Sequence, residues 1–235
     1  MGFNDSLGGL SGITQGNIMQ LSELVTAVDD VVQDTAFTST IIKALINEAV
    51  LKIATGDIVP GKYQITPPLP DLYETGDITT SATGNTALPA TFNRDVTMVV
   101  NSDDEVIPIE SSFRKFNKTY PELSSSEVFR CAVNGSTLYY RDVDIEVLTV
   151  HFYKAPDTLT ADADTPSEIP AVLHRKLIVG YVCREIFNKI EDGTEGQKIN
   201  TKYYAGEYYS GLNDLEVLVG VDDDPDYYDN QTDYS

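Results

Sequence analysis

The stretch that most constrains this chain is residues 169–220, where apolar side chains recur at the spacing of two amphipathic helices joined by a short polar segment. After Ile169-Pro170, the residues Val172, Leu173, Leu177, Ile178, Tyr181, Val182, Ile186, Phe187 and Ile190 fall at steps of one, three and four, which lines them along one side of a helix. Proline suits the first turn, where its missing N–H has no helical partner to lose, and Gly193 after Glu191-Asp192 offers a left-handed residue to end the helix. A second run, Ile199, Tyr203, Tyr204, Tyr208, Leu212, Leu215 and Val219, stops at Gly220. Joined by so few residues, the two helices must fold back on each other.

Two further helices are predicted near the amino terminus. Residues 1–20 carry Gly8, Gly9, Gly12 and Gly16 among small polar residues, the composition of a flexible arm. Ser22 is a good N-cap for a helix whose Leu24, Val25, Val28, Val31 and Val32 share one face. Thr38 or Ser39 caps the next, with Ile41, Ile42, Leu45, Ile46, Ala49, Val50 and Ile53 as its stripe and Gly56 as its stop. Within these helices Asn47 and Gly180 are poor helix formers. A hydrogen bond between elements would account for Asn47, as would simple exposure; close approach of another backbone would account for Gly180.

Between the helices the period changes to two. Short β-type runs at 95–100 and 106–110 flank a polar turn, and runs at 127–133 and 136–140 flank Asn134-Gly135, the residues of a type I′ hairpin. A two-residue loop there sets Cys131 opposite Leu138 and Phe129 opposite Tyr140. Residues 145–153 alternate Leu148, Val150 and Phe152 with Val147, Thr149, His151 and Tyr153, a further strand. Prolines at 60, 67, 68, 70 and 89 make the approach to this region extended and loop-rich, and one helical turn is predicted over 113–116, capped by Ser111 or Ser112. The fold class is therefore α+β: a helical core of two N-terminal and two long C-terminal helices (21–56 and 166–220) interrupted by a β-rich domain (57–165). Residues 221–235 hold six aspartates, Tyr227, Tyr228 and Tyr234, and no cation, so they form an acidic tail that cannot fold alone and suits a strap ordered by a partner.

The chemistry of catalysis is not written in the chain. His151 and His174 are its two histidines, and neither stands at metal-ligand or general-base spacing. Asp162-Ala163-Asp164 lacks the spaced ligands and closing glutamate of a calcium loop. Gly8-Gly9-Leu10-Ser11-Gly12 lacks the lysine of a phosphate cradle. We expect no enzyme, no cofactor and no metal. Cys131 and Cys183 are expected to be reduced and buried, one in a sheet and one in a helix. Residues 1–6 do not read as a secretory signal, and no stretch approaches the ~18 apolar residues of a membrane span.

One resemblance runs through the order of the parts. Val31-Val32-Gln33-Asp34, Ile46-Asn47-Glu48-Ala49, Leu88-Pro89-Ala90-Thr91-Phe92, His151-Phe152-Tyr153-Lys154-Ala155-Pro156 and Ile169-Pro170 with the helical hairpin, taken together over most of residues 22–219, resemble the head-to-tail adaptor proteins of tailed bacteriophages. These are head-completion, or connector, proteins that dock beneath the portal. The resemblance implies a virion structural protein at the head-to-tail interface, assembled in the host cytoplasm as a homo-oligomeric, dodecameric ring. The implied partners are the portal protein on one side and a tail, nozzle or stopper protein on the other, with genomic DNA passing through the channel and no membrane involved. It implies too that a terminal segment clasps the portal.

Composition is compatible with this. The formal net charge is −21, from 37 acidic against 16 basic residues, a balance unsuited to gripping phosphates and suited to a wall past which DNA slides. Of 14 tyrosines, Tyr203, Tyr204, Tyr208 and Tyr209 exceed what one core stripe can bury. Some of these are expected at a subunit or portal contact, and Tyr227, Tyr228 and Tyr234 in the strap. The alternative that the β-rich middle leaves open is a receptor- or carbohydrate-binding tail module.

Overall fold

The computed structural model describes residues 18–56, 69–122, 127–141, 145–192 and 198–219. The glycine-rich arm, Gly193 and the acidic tail with Tyr227, Tyr228 and Tyr234 lie outside the described residues. The fold is α+β, and it divides into two compact units. One takes the described residues up to 56 and from 157 onward, the other those from 69 to 156.

In the helical unit, α1 (Leu21–Val32) begins one residue before the predicted cap. Gln20 rather than Ser22 is the N-cap, in a reciprocal box in which its N–H donates to Glu23 Oε2 at 2.8 Å. The next orphan donors, the N–H groups of Leu21 and Ser22, reach the carbonyls of Asp164 and Asp162 at 2.8 and 3.1 Å, so the connector leading back into the helices also finishes this helix end. Gln33 closes α1 in the left-handed region. The second helix, α2 (Ser39–Thr55), has Thr38 as N-cap and stops at Gly56. Its stripe is buried as predicted from Ile42 to Ile53, but Ile41 is exposed.

The long hairpin departs from a simple pair of α-helices. Its first arm begins as a 3₁₀ turn (Ala171–Leu173), passes through a π turn (Arg175–Val179), where the Gly180 N–H bonds the Arg175 carbonyl five residues back, and becomes α4 (Gly180–Ile190). The second arm is α5 (Ile199–Val219). Burial explains the irregular start. Residues 177–183 are all buried, because α4 and the π turn pack against α1, α2 and α5 together rather than presenting one stripe. The inserted residue of a π turn rotates the following helix and lets successive side chains face different neighbours. Val172 and Ile190, at the two ends of the predicted stripe, are exposed.

The β unit has two sheets. The first orders β1 (Tyr73–Thr79), β7 (Val147–Lys154) and β3 (Phe92–Val100), all antiparallel, with β7 central. The second orders β2 (Asn85–Ala87), β6 (Thr137–Tyr139), β5 (Cys131–Asn134) and β4 (Ile109–Glu110), with β4 parallel to β5. Leu148, Val150 and Phe152 of β7 are completely buried and share one core with Val99, Ile78, Cys131, Leu138 and Tyr140. Strand β1 was not predicted. Its polar residues Tyr73, Glu74, Thr75, Gly76 and Asp77 carry little apolar alternation, and it is a strand because β7 supplies its hydrogen bonds.

The hairpin register also differs from expectation. Val133 pairs with Leu138 and Asn134 with Thr137, so the loop is Gly135-Ser136 and Asn134 ends the strand. Gly135 alone takes positive φ (+59°), the pattern with glycine at the first central position rather than Asn-Gly. Between β4 and β5, α3 (Phe113–Thr119) is longer than the predicted turn and is capped by Ser112, whose Oγ accepts the Lys115 N–H at 3.4 Å.

Candidate interaction surface

The hairpin that dominates the sequence supplies the most distinctive surface. Its two arms meet closely at two glycines. A Cβ on Gly211 of α5 would lie 2.8 Å from Leu177 Cδ2, and one on Gly180 of α4 would lie 3.4 Å from the Tyr208 backbone nitrogen. The approach predicted for Gly180 is present, and Gly211, which periodicity did not single out, is the tighter of the two.

Aromatic side chains organise the seam between α4 and α5. Tyr181 and Tyr208 meet edge to face at 5.3 Å, both fully buried. The Arg184 guanidinium lies 4.6 Å from the Tyr181 ring centre and 4.7 Å from that of Tyr208, with Glu185 Oε1 at 2.8 Å from Nη2. A cation sandwiched this way is held by ring quadrupoles as well as by its carboxylate. On its other side Tyr181 accepts Lys52 Nζ at 2.6 Å and donates to Glu48 at 2.7 Å. The Tyr181 hydrogen bond holds the Glu48 carboxyl below its usual range, and burial pushes the Tyr181 phenol up to about 12.

The four tyrosines of α5 are therefore not equivalent. Tyr208 is core. Tyr209 is half-buried beside Arg184, and Tyr204 stacks flat on Phe187 at 5.6 Å. Tyr203 is 61% exposed and touches only the edge of Tyr204 among aromatic rings.

The outer face of α5 is more unusual still. Ile199, Tyr203, Gly206, Ser210, Asn213 and Val217 are all exposed and recur at steps of four, three, four, three and four. This is one line along the whole helix at the 3.5-residue period of helix–helix seams. None of the six is charged. In a chain of net charge −21, a solvated helix face would be expected to carry carboxylates, and three of these residues are large and apolar or aromatic, with Val217 84% exposed.

The residues that would suggest chemistry have structural partners. His174 is buried; its Nδ1 accepts the Met19 N–H at 3.2 Å and its Nε2 lies 2.8 Å from the Ile169 carbonyl. That pair of bonds selects the neutral ring protonated at Nε2, and burial holds its pKa below the ordinary value. His151 Nδ1 lies 2.9 Å from the Tyr73 hydroxyl. Asp162 pairs with Lys43 at 2.6 Å, and Asp164 Oδ2 accepts the N–H groups of Thr160 and Ala161, both at 2.7 Å. The Asp-x-Asp of the connector thus closes a turn and ties it to α2. Cys131 and Cys183 are free and buried. Among the described residues no helix is long and apolar enough to cross a membrane.

The hairpin thus packs on aromatic rings and leaves an uncharged exposed seam along α5. The family model of the SU10 adaptor protein matches residues 19–232, and the chain belongs to that family. It is a phage adaptor, a structural class. No curated protein matches the chain.

Proposed function

We propose that this adaptor works as a closed ring of identical copies, twelve as the resemblance implies, docked on the portal protein and joining the head to the tail, nozzle or stopper proteins beyond it. The observation that carries the reading is the uncharged stripe on α5. Copies that each carry a net charge of −21 repel one another at long range, so close packing is favoured where the contact itself is free of unpaired carboxylates. Gly206 and Ser210 in the stripe allow close approach, while Ile199, Tyr203 and Val217 supply apolar area. A ring contact is heterologous, so the stripe of one copy meets a different surface of the next.

In this reading the helical unit is the rigid stave. The strap residues Tyr227, Tyr228 and Tyr234 engage a partner, and the acidic balance lets DNA pass through the channel without being held. The protein is then a virion component at the head-to-tail interface. Electron micrographs of the protein with and without its cognate portal test it. Rings with the portal are expected, and a persistent monomer in its presence overturns the proposal, as does tight DNA binding at moderate salt.

A further inference from the structure

The acidic excess of this chain is interrupted along α3. Residues 111–121 contain Arg114, Lys115 and Lys118 and no carboxylate, and all three cations stand exposed on α3. Among the described residues Arg114 and Lys118 form no ion pair. Lys115 reaches Glu110 at 3.1 Å with its side chain still 64% exposed. Beside them lies an aromatic shelf: Phe116 under the Arg141 guanidinium at 4.6 Å, Tyr120 against Phe116 at 5.6 Å, and Phe129, half exposed, edge-on to Tyr120 at 5.5 Å. Exposed cations next to an accessible ring make a surface for an acidic, tyrosine-bearing peptide.

The chain itself contains such a peptide. Residues 221–235 bring six aspartates and three tyrosines and no cation. We propose that before the adaptor meets a partner, this C-terminal segment docks on the basic face of α3, its aspartates on Arg114, Lys115 and Lys118 and a tyrosine on the Phe129 shelf. Tethering favours it over competitors, since a segment linked to the same assembly is present at an effective concentration of about millimolar. Duplex DNA is the competing occupant of any basic face. Three exposed cations offer it few phosphate contacts, and the rest of the protein repels it. The proposal does not depend on the portal reading.

The test uses the full chain. Ser235→Cys provides one accessible thiol for a fluorescent label, because Cys131 and Cys183 are buried and burial pushes both thiols up to about 12. Label anisotropy is compared among three proteins: the otherwise unchanged chain, Arg114→Glu with Lys118→Glu, and a control with Lys198→Glu and Lys202→Glu. The expected result is at least a twofold fall for the α3 variant, reproduced in the unchanged chain by raising salt to about 0.5 M, with no fall for the control. Arg114→Gln with Lys118→Gln replaces the charge reversal if thermal melting shows that the reversal perturbs folding. Equal anisotropy in all three proteins overturns the proposal, as does an equal fall in the control. Loss of duplex DNA binding on α3 reversal, with label anisotropy unchanged, assigns the face to nucleic acid and also overturns it. No portal enters the experiment, so failure here leaves the adaptor reading standing.

Discussion

Asn47 and Leu159 bond each other in both directions. The Asn47 Oδ1 accepts the Leu159 N–H at 2.8 Å and its Nδ2 donates to the Leu159 carbonyl at 3.0 Å. A side-chain amide carries a donor and an acceptor side by side, so it can satisfy a backbone N–H and C=O together, and here it holds the connector to α2 across 112 residues of sequence.

Removing that amide strands both backbone groups. Asn47→Ala is expected to lower stability by about 1–3 kcal/mol, read as a lower urea midpoint at unchanged m-value. Asn47→Asp should recover nothing, because a carboxylate accepts the N–H but sets a second acceptor against the Leu159 carbonyl. An aspartate variant as stable as the native protein would contradict this account of the bridge.

Two glycines of α5 should respond with opposite sign. A Cβ on Gly206 meets nothing within 4 Å, whereas one on Gly211 lands 2.8 Å from Leu177 Cδ2 and 3.1 Å from its Cγ, and Leu177 is fully buried. Gly206→Ala should stabilise by up to ~1 kcal/mol through helix propensity. Gly211→Ala gains the same propensity but overpacks the seam, for a net loss of roughly 1 kcal/mol. Differential scanning calorimetry of the two variants gives the comparison; shifts of the same sign would sink it.

Tyrosine substitutions should separate folding from assembly. Tyr208→Ala empties a fully buried aromatic position and is expected to lose about 3–5 kcal/mol. Tyr203→Ala and Ser210→Glu change exposed positions and should stay within about 0.5 kcal/mol. Both should nonetheless weaken ring formation, most strongly Ser210→Glu, which puts a charge in the uncharged stripe. Sedimentation with and without the portal measures this, and full assembly by Ser210→Glu would remove the stripe from the contact.

Acidification should weaken the fold through its histidines before its carboxylates. Native His174 has a depressed pKa because burial opposes its charge, and His151 shifts the same way for the same reason. Below the unfolded value of about 6.5 the unfolded chain therefore binds more protons than the native one. Stability is full above that pH and declines as the pH falls towards the folded pKa. The held carboxylates Glu48 and Glu110 are lowered too, and their contribution is lost only in more acidic solution, below about pH 4.5. His174→Gln should flatten the slope of unfolding free energy between about pH 7 and 5 more than His151→Gln does, and an unchanged slope would refute the assignment.

What the sequence determined by itself is local and periodic. The apolar spacing of α2, α4 and α5, the alternation of Leu148, Val150 and Phe152 in β7, a serine cap at 111 or 112 before α3 and the short motifs along the chain all depend on residues close together. Each is legible because a helix or strand sets its own repeat.

The tertiary structure decided the rest. Strand β1 exists because β7, some seventy residues away, offers it a ladder. The hairpin slid by one residue on each strand because Gly135, not Asn134, takes the left-handed position. The first hairpin arm tightened and then widened into 3₁₀ and π turns because three helices pack on it at once. The stripe of α5 called for the same distinction: periodicity marks Tyr203 and Tyr208 alike as apolar positions, but only the packing of α4 against α5 buries one and leaves the other in solvent, since burial is a property of what lies opposite a side chain.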